Sequence, residues 1–280
     1  MGEFMSEKWW ALHIFIHEKN MQDDFLLYIY EVIYNKMNSG NIAKWFFIRY
    51  WEGGPHIRLR IKGNREVFEE IEEEVYNWIK QNRFSNLLNK ETFYAASQFD
   101  GYPVNTEQLP WYNNGSVEEF LYEPEIDRYG GENVIPYCET IFQISSYFTL
   151  MSMNKSRNIS TDISIISGIA FLLKCIEIIE GDFKEFISEG IYYWKKFEDN
   201  VERKFSNEFY LAQKIILPTN LADDLTQLLL IIKTRVSNHS YLKSIIISII
   251  HMNFNRLGVT PPVEYTVYQY LKETYSGEKI

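Results

Sequence analysis

"WFFIRYWEGGPHIRLRIKG", residues 45–63, sets two alternating apolar runs on either side of Glu52-Gly53-Gly54-Pro55. Turn formers between such runs predict a pair of strands, here over residues 45–51 and 56–61. Side chains two apart on a strand share a face, so His56, Arg58 and Arg60 stand on one side and Ile57, Leu59 and Ile61 on the other. Two neighbouring guanidiniums on one strand face have two readings. They are ordinary arginines on a polar sheet surface, or a pair of planar forks aimed at carboxylates.

Outward from this stretch, residues 9–16 alternate as a strand and residues 21–37 carry apolar positions at helical spacing. Residues 66–81 form an amphipathic helix whose acidic side, Glu69, Glu70, Glu72, Glu73 and Glu74, reads as solvated. A further strand is expected near residues 92–97. The order strand, helix, strand, strand, helix, strand is that of a split βαβ sandwich.

Residues 99–131 concentrate Gly, Pro and Asn and read as a long loop, but their seven aromatics argue for a binding loop rather than disorder. From residue 132 the pattern is helical, with helices expected over 134–153, 161–179, 183–194, 200–212, 221–236, 241–256 and 264–274. The fold class expected is α+β: a split-βαβ-like sheet portion over 9–98 packed on a mostly helical portion over 132–280, in one integrated domain. Residues 99–131 would be its active-site loop and a pocket is expected at the seam. Residues 1–8 read as a cloning scar, Met-Gly-Glu-Phe ahead of Met5, and a tail.

The 280 residues are 46% hydrophobic and carry a net charge of −10, with a pI near 5.1. Such acidity disfavours nonspecific nucleic-acid binding, which depends on a basic surface. Cys138 and Cys175 have neither metal-ligand spacing nor the density of a disulfide scaffold, so they read as buried apolar side chains in a cytoplasmic protein. No secretory signal is visible. The most apolar stretches, 163–173 and 245–250, are too short for roughly 30 Å of hydrocarbon. The five histidines form no ligand cluster and no glycine-rich fingerprint joins a strand to a helix, so no metal or organic cofactor is expected.

Two further segments carry candidate chemistry. "YEPEIDRYGG", residues 122–131, places Glu125 and Arg128 three apart, in reach of each other within one helical turn. "HMNFNRLGVTPP", residues 251–262, puts His251 near the end of an apolar helix that Gly258 and Pro261-Pro262 stop. Each has a plain structural reading as well, a loop clasp in one case and a helix-end histidine in the other. Tyr102, Trp111, Tyr112 and Tyr122 line a peptide groove or pack the loop.

A strand written PHIRLRIKG after Gly-Gly, then Tyr-x-x-Glu-x-x-Arg-Tyr-Gly-Gly, then a late helix ending His-Met-x-x-Asn-Arg-Leu-Gly: this ordered set resembles the C-terminal domain of lantibiotic dehydratases, the SpaB C-terminal or thiopeptide-type bacteriocin biosynthesis family. The resemblance runs from about Trp9 to Tyr275 and looks like a member encoded without the glutamylating domain. It implies a lyase that removes glutamate from glutamylated Ser or Thr of a precursor peptide, giving dehydroalanine or dehydrobutyrine. The catalytic residues it implies are Arg58, Arg60, Glu125, Arg128 and His251, converging on one cavity, with His56, Tyr122, Tyr129, Asn255 and Arg256 binding substrate. Expected partners are a ribosomally made precursor peptide, leader plus core, and a glutamylating dehydratase subunit, with a homodimer left open. The alternatives are a thiopeptide pyridine synthase acting by [4+2] cycloaddition of two dehydroalanines with leader loss, and a noncatalytic peptide-binding subunit.

Overall fold

The computed structural model describes residues 8–85, 87–96, 105–155, 161–179, 183–200 and 205–275. The chain divides into two compact units between Glu123 and Pro124.

The first unit is built on an antiparallel sheet of β1 (Lys8–Phe15), β2 (Ile42–Tyr50), β3 (His56–Gly63) and β4 (Val117–Phe120), in the spatial order β2-β3-β1-β4. Two helices, α1 (Lys19–Asn38) and α2 (Arg65–Gln81), complete the expected split βαβ pattern. Asn64 caps α2 by accepting from the Val67 N–H at 2.9 Å. Both helices cover the sheet face that carries Ile57, Leu59 and Ile61. Trp10, opposite Ile61, stacks on Phe68 of α2, and Arg49, opposite Ile57, donates to Gln22 and Asp23 of α1. Phe25, Leu26, Ile29, Ile33, Phe47, Phe68, Ile71 and Val75 close this core, each at or near zero exposure.

The strand expected near residues 92–97 is instead α3 (Lys90–Ala96), and Ser97 lies outside the described residues. Asn89 is the reason: its side-chain oxygen accepts from the Thr92 N–H at 2.9 Å and starts a helix in a stretch whose Thr, Phe and Tyr favour strand. The sheet's fourth strand is β4, inside the stretch read as loop, paired over Ala11–Ile14 of β1. Tyr102 lies outside the described residues. Trp111 and Tyr112 pack: Trp111 meets Tyr94 and His17, while Tyr112 stacks on Phe15 and its N–H donates to the Gly53 carbonyl. Under them Gly54 holds φ +104, and a Cβ there would lie 2.9 Å from the His17 ring.

The second unit is helical: α4 (Ile135–Lys155), α5 (Thr161–Ile179), α6 (Phe183–Trp194), α7 (Glu208–Ala212), α8 (Thr219–Arg235), α9 (His239–Arg256) and α10 (Pro261–Thr274). The helix expected over 200–212 is shorter, because Lys195–Asn200 is a 3-10 stretch and α7 begins only at Glu208. Helix α9 is central, packing on α4, α5 and α10. Close approach needs glycine twice: Phe254 of α9 presses on Gly168 of α5, and Tyr268 of α10 on Gly190 of α6. Cys138 and Cys175 are both buried free thiols. Among the described residues no helix is long and apolar enough to cross a membrane.

Candidate active site

On the sheet face away from α1 and α2, β1 contributes Trp9, Ala11, His13 and Phe15, β2 contributes Phe46 and Tyr50, and β3 contributes His56, Arg58 and Arg60. The register puts Arg60 between Ala11 and Phe46 and sets Arg58 opposite His13. Arg60, only 8% exposed, lies 5.5 Å from the Phe46 ring centre and 5.1 Å from that of Tyr122. The Arg58 guanidinium rests on the Tyr50 ring at 3.5 Å. His56, Arg58, Arg60 and Tyr122 thus form one group.

His56 and its neighbour His13 on the same sheet face are neutral at ordinary pH. Burial, then the neighbouring imidazole and guanidiniums, pull His13 down to about 2. Burial holds His56 at about 3, against a bond to the Gly54 carbonyl that favours its proton. That bond fixes the tautomer: Nδ1–H donates to the Gly54 oxygen at 2.8 Å, and Nε2 accepts from Arg58 Nε at 3.2 Å. His13, which sequence reasoning missed, stacks between His56 and Phe120 at 4.9 and 4.2 Å. Its parity with Arg58 follows only from the β1–β3 register.

In the helical unit, Glu125 and Arg128 lie on one turn, ending in the 3-10 stretch Asp127–Tyr129 and paired at 3.4 Å. Arg128 Nε donates to Ser248 Oγ on α9 at 3.2 Å. Tyr241, also on α9, donates to the Asp127 carbonyl and accepts from the Gly130 N–H at 3.1 Å. Gly130 turns with φ +90, where a Cβ would lie 2.8 Å from Val134. Tyr129 is buried edge-on to Phe142, and burial raises the pKa of its phenol.

His251 stands one turn beyond Ser248, so α9 carries Arg128's partner and His251 on one face. Its Nδ1 lies 2.7 Å from Glu264 Oε2 of α10, and its ring centre 4.6 Å from that of Trp194. Glu264 was not a sequence candidate. It follows Thr260-Pro261-Pro262 in the first turn of α10 and reads there as an ordinary helix-start acid, yet it is wholly buried.

Asn255, half-buried, follows His251 by one turn, and its carbonyl accepts from the Gly258 N–H. Arg256 is enclosed: Nε donates to Ser146 Oγ at 3.1 Å, and Nη1 donates to the Met252 carbonyl at 2.8 Å and to Ser145 Oγ at 3.4 Å. This fork ties α9 to α4 and gives Ser145 a structural role, which Asn253 extends by donating to the same hydroxyl at 2.9 Å. Cys138 is pushed up to about 12, chiefly by burial, and its thiol faces the Tyr129 carbonyl at 3.8 Å. It is no nucleophile. Among the described residues no group of three or more His, Cys, Asp or Glu is arranged to hold a metal ion.

The fold is shared with two solved structures. The pyridine synthase TbtD, from thiomuracin biosynthesis, superposes with a TM-score of 0.69 at 16% identity, over 96% of this chain and 98% of that one. The tRNA-dependent lantibiotic dehydratase MibB from Microbispora sp. 107891 gives 0.63 at 17% identity, over 97% of this chain and 28% of its own. By sequence, the epidermin biosynthesis protein EpiB of Staphylococcus epidermidis is 26% identical across 97% of this chain, and the nisin biosynthesis protein NisB of Lactococcus lactis subsp. lactis is 27% identical across the same share. The chain spans about a quarter of the length of each. The family model for the C-terminal part of lantibiotic biosynthesis dehydratases matches residues 9–275, and the chain belongs to that family.

Proposed function

We propose that the chain eliminates glutamate from glutamylated Ser or Thr of a precursor peptide. The observation that carries this reading is the sheet face itself, where Arg58 and Arg60 sit among aromatic rings beside two neutral histidines. Neutral imidazoles add no positive charge there. A guanidinium in so enclosed a place attracts an anion more strongly than it would in water, and the adduct supplies anions: the carboxylate that departs and the glutamate side chain.

The reaction removes the α-proton of the esterified residue and breaks its Cβ–O bond, and glutamate leaves as a carboxylate. Arg58 and Arg60 bind the carboxylates bidentately and stabilise the charge that builds on the leaving oxygen. Within the helical unit, Arg128, steadied by Glu125 and Ser248, is the cation assigned to this chemistry. His251 takes the α-proton. Tyr122 contributes ring surface beside Arg60, and His56 reaches the substrate only through Arg58. The reaction consumes a glutamyl ester, which a glutamylating activity supplies.

The fold does not separate the two readings, because a pyridine synthase, TbtD, and a lantibiotic dehydratase, MibB, both share it. Mass spectrometry of two precursor peptides incubated with the protein, one glutamylated and one already carrying two dehydroalanines, does separate them. Loss of glutamate with a new dehydroamino acid supports elimination. Cyclisation of the dehydroalanine peptide with leader loss supports the synthase, and both peptides unchanged support a binding subunit.

A further inference from the structure

The helical unit holds a carboxylate that the reaction scheme leaves unused. Glu264 has no exposed surface. Its Oε2 faces His251 Nδ1 at 2.7 Å, and its Oε1 has no hydrogen-bond partner among the described residues. A buried carboxylate is costly unless paired and hydrogen-bonded, and the pairing here goes to a single imidazole. A helix start alone does not require this. An acid in the first turn serves the helix dipole from the surface, whereas Glu264 is turned inward from α10. Trp194 packs on the imidazole ring and fixes its plane.

We infer that Glu264 is the positioning residue of His251, keeping a proton on Nδ1 so that the bare Nε2 serves as the base. The inference rests on the elimination reading for what Nε2 does, but the tautomer stands independently of it. A carboxylate only accepts, so the proton between the two groups belongs to Nδ1 in the neutral imidazole. When Nε2 takes the substrate's α-proton, the imidazolium forms against an anion already in place and no group has to reorganise. The proton then leaves through Nε2, while Glu264 holds Nδ1–H in place.

Nitrogen-15 NMR of the histidine rings reads the tautomer directly in the wild-type protein, with His251→Asn assigning the signal. Nδ1–H is expected, and an Nε2–H tautomer at His251 would overturn the inference whether or not the protein eliminates glutamate. Glu264→Gln offers an amide N–H to Nδ1 and is expected to move the proton to Nε2, lowering kcat at least tenfold with KM nearly unchanged. Glu264→Asp is expected to restore part of both. A Glu264→Gln protein that keeps the wild-type tautomer and kcat contradicts the inference. Turnover absent in wild type, with the tautomer as expected, removes the elimination reading and leaves the Glu264–His251 assignment standing.

Discussion

Arg58 Nε donates to His56 Nε2 at 3.2 Å, which requires an imidazole bearing its one proton on Nδ1, where the Gly54 carbonyl accepts it at 2.8 Å. Protonating Nε2 would set one N–H against another. The glycine turn between β2 and β3 therefore orients an arginine four residues further on, and the bond exists only while His56 is neutral.

Acid should weaken the sheet unit for this reason. His13 and His56 have folded pKa values of about 2 and about 3, below the ordinary histidine value of about 6.5. The unfolded chain therefore binds more protons between those limits. Stability is complete above about pH 6.5 and is lost as pH falls toward 3, at up to about 1.4 kcal/mol per pH unit for each histidine. Denaturant titrations at pH 7, 6 and 5 measure the slope. His13→Phe, which keeps the stack with Phe120 and removes one titrating ring, should flatten it; an unchanged slope would mean that His13 is not held neutral by the fold.

Arg60→Lys is expected to lower elimination about tenfold or more, about 1.4 kcal/mol of transition-state stabilisation, because an ammonium keeps the charge and loses the fork. Glutamylated peptide should accumulate. Arg49→Lys is the control: that arginine lies on the opposite face of the sheet, held by Gln22 at 3.0 Å and Asp23 at 2.5 Å. It should turn over normally while losing up to about 1 kcal/mol of stability. Wild-type rates from Arg60→Lys would return Arg60 to the plain reading of a polar sheet surface.

Gly168→Ala and Gly190→Ala should each destabilise the helical unit by about 1–3 kcal/mol, since the added methyl meets the Phe254 or Tyr268 ring. Thermal melts followed by circular dichroism check this. Melting temperatures within a degree of wild type would show that the rings can step aside.

Much of this was readable in the residues. Period-two alternation located β1, β2 and β3 and put Arg58 and Arg60 on one face, and the 3.6 period located most helices. What escaped depended on contacts that periodicity cannot carry. Strand β4 is four residues long and owes its conformation to Ala11–Ile14 of β1. Helix α3 depends on one capping oxygen of Asn89. His13 joins the arginines through strand register, and Glu264 resembles a helix-start acid until α10 turns it onto His251. Arg256, a substrate-binding candidate by its motif, lies in the interior, its Nε donating to Ser146, 110 residues earlier in the chain.

The central claim is that Arg58 and Arg60 recognise the carboxylates of the departing glutamate. Two peptides that differ only in the esterifying group, glutamyl against glutaminyl, test it through kcat/KM measured with wild type, Arg58→Ala and Arg60→Lys. The account predicts that wild type prefers the glutamyl ester by about tenfold or more and that this preference shrinks in at least one arginine variant. Equal turnover of both esters by wild type, or a preference that survives both substitutions intact, would contradict it.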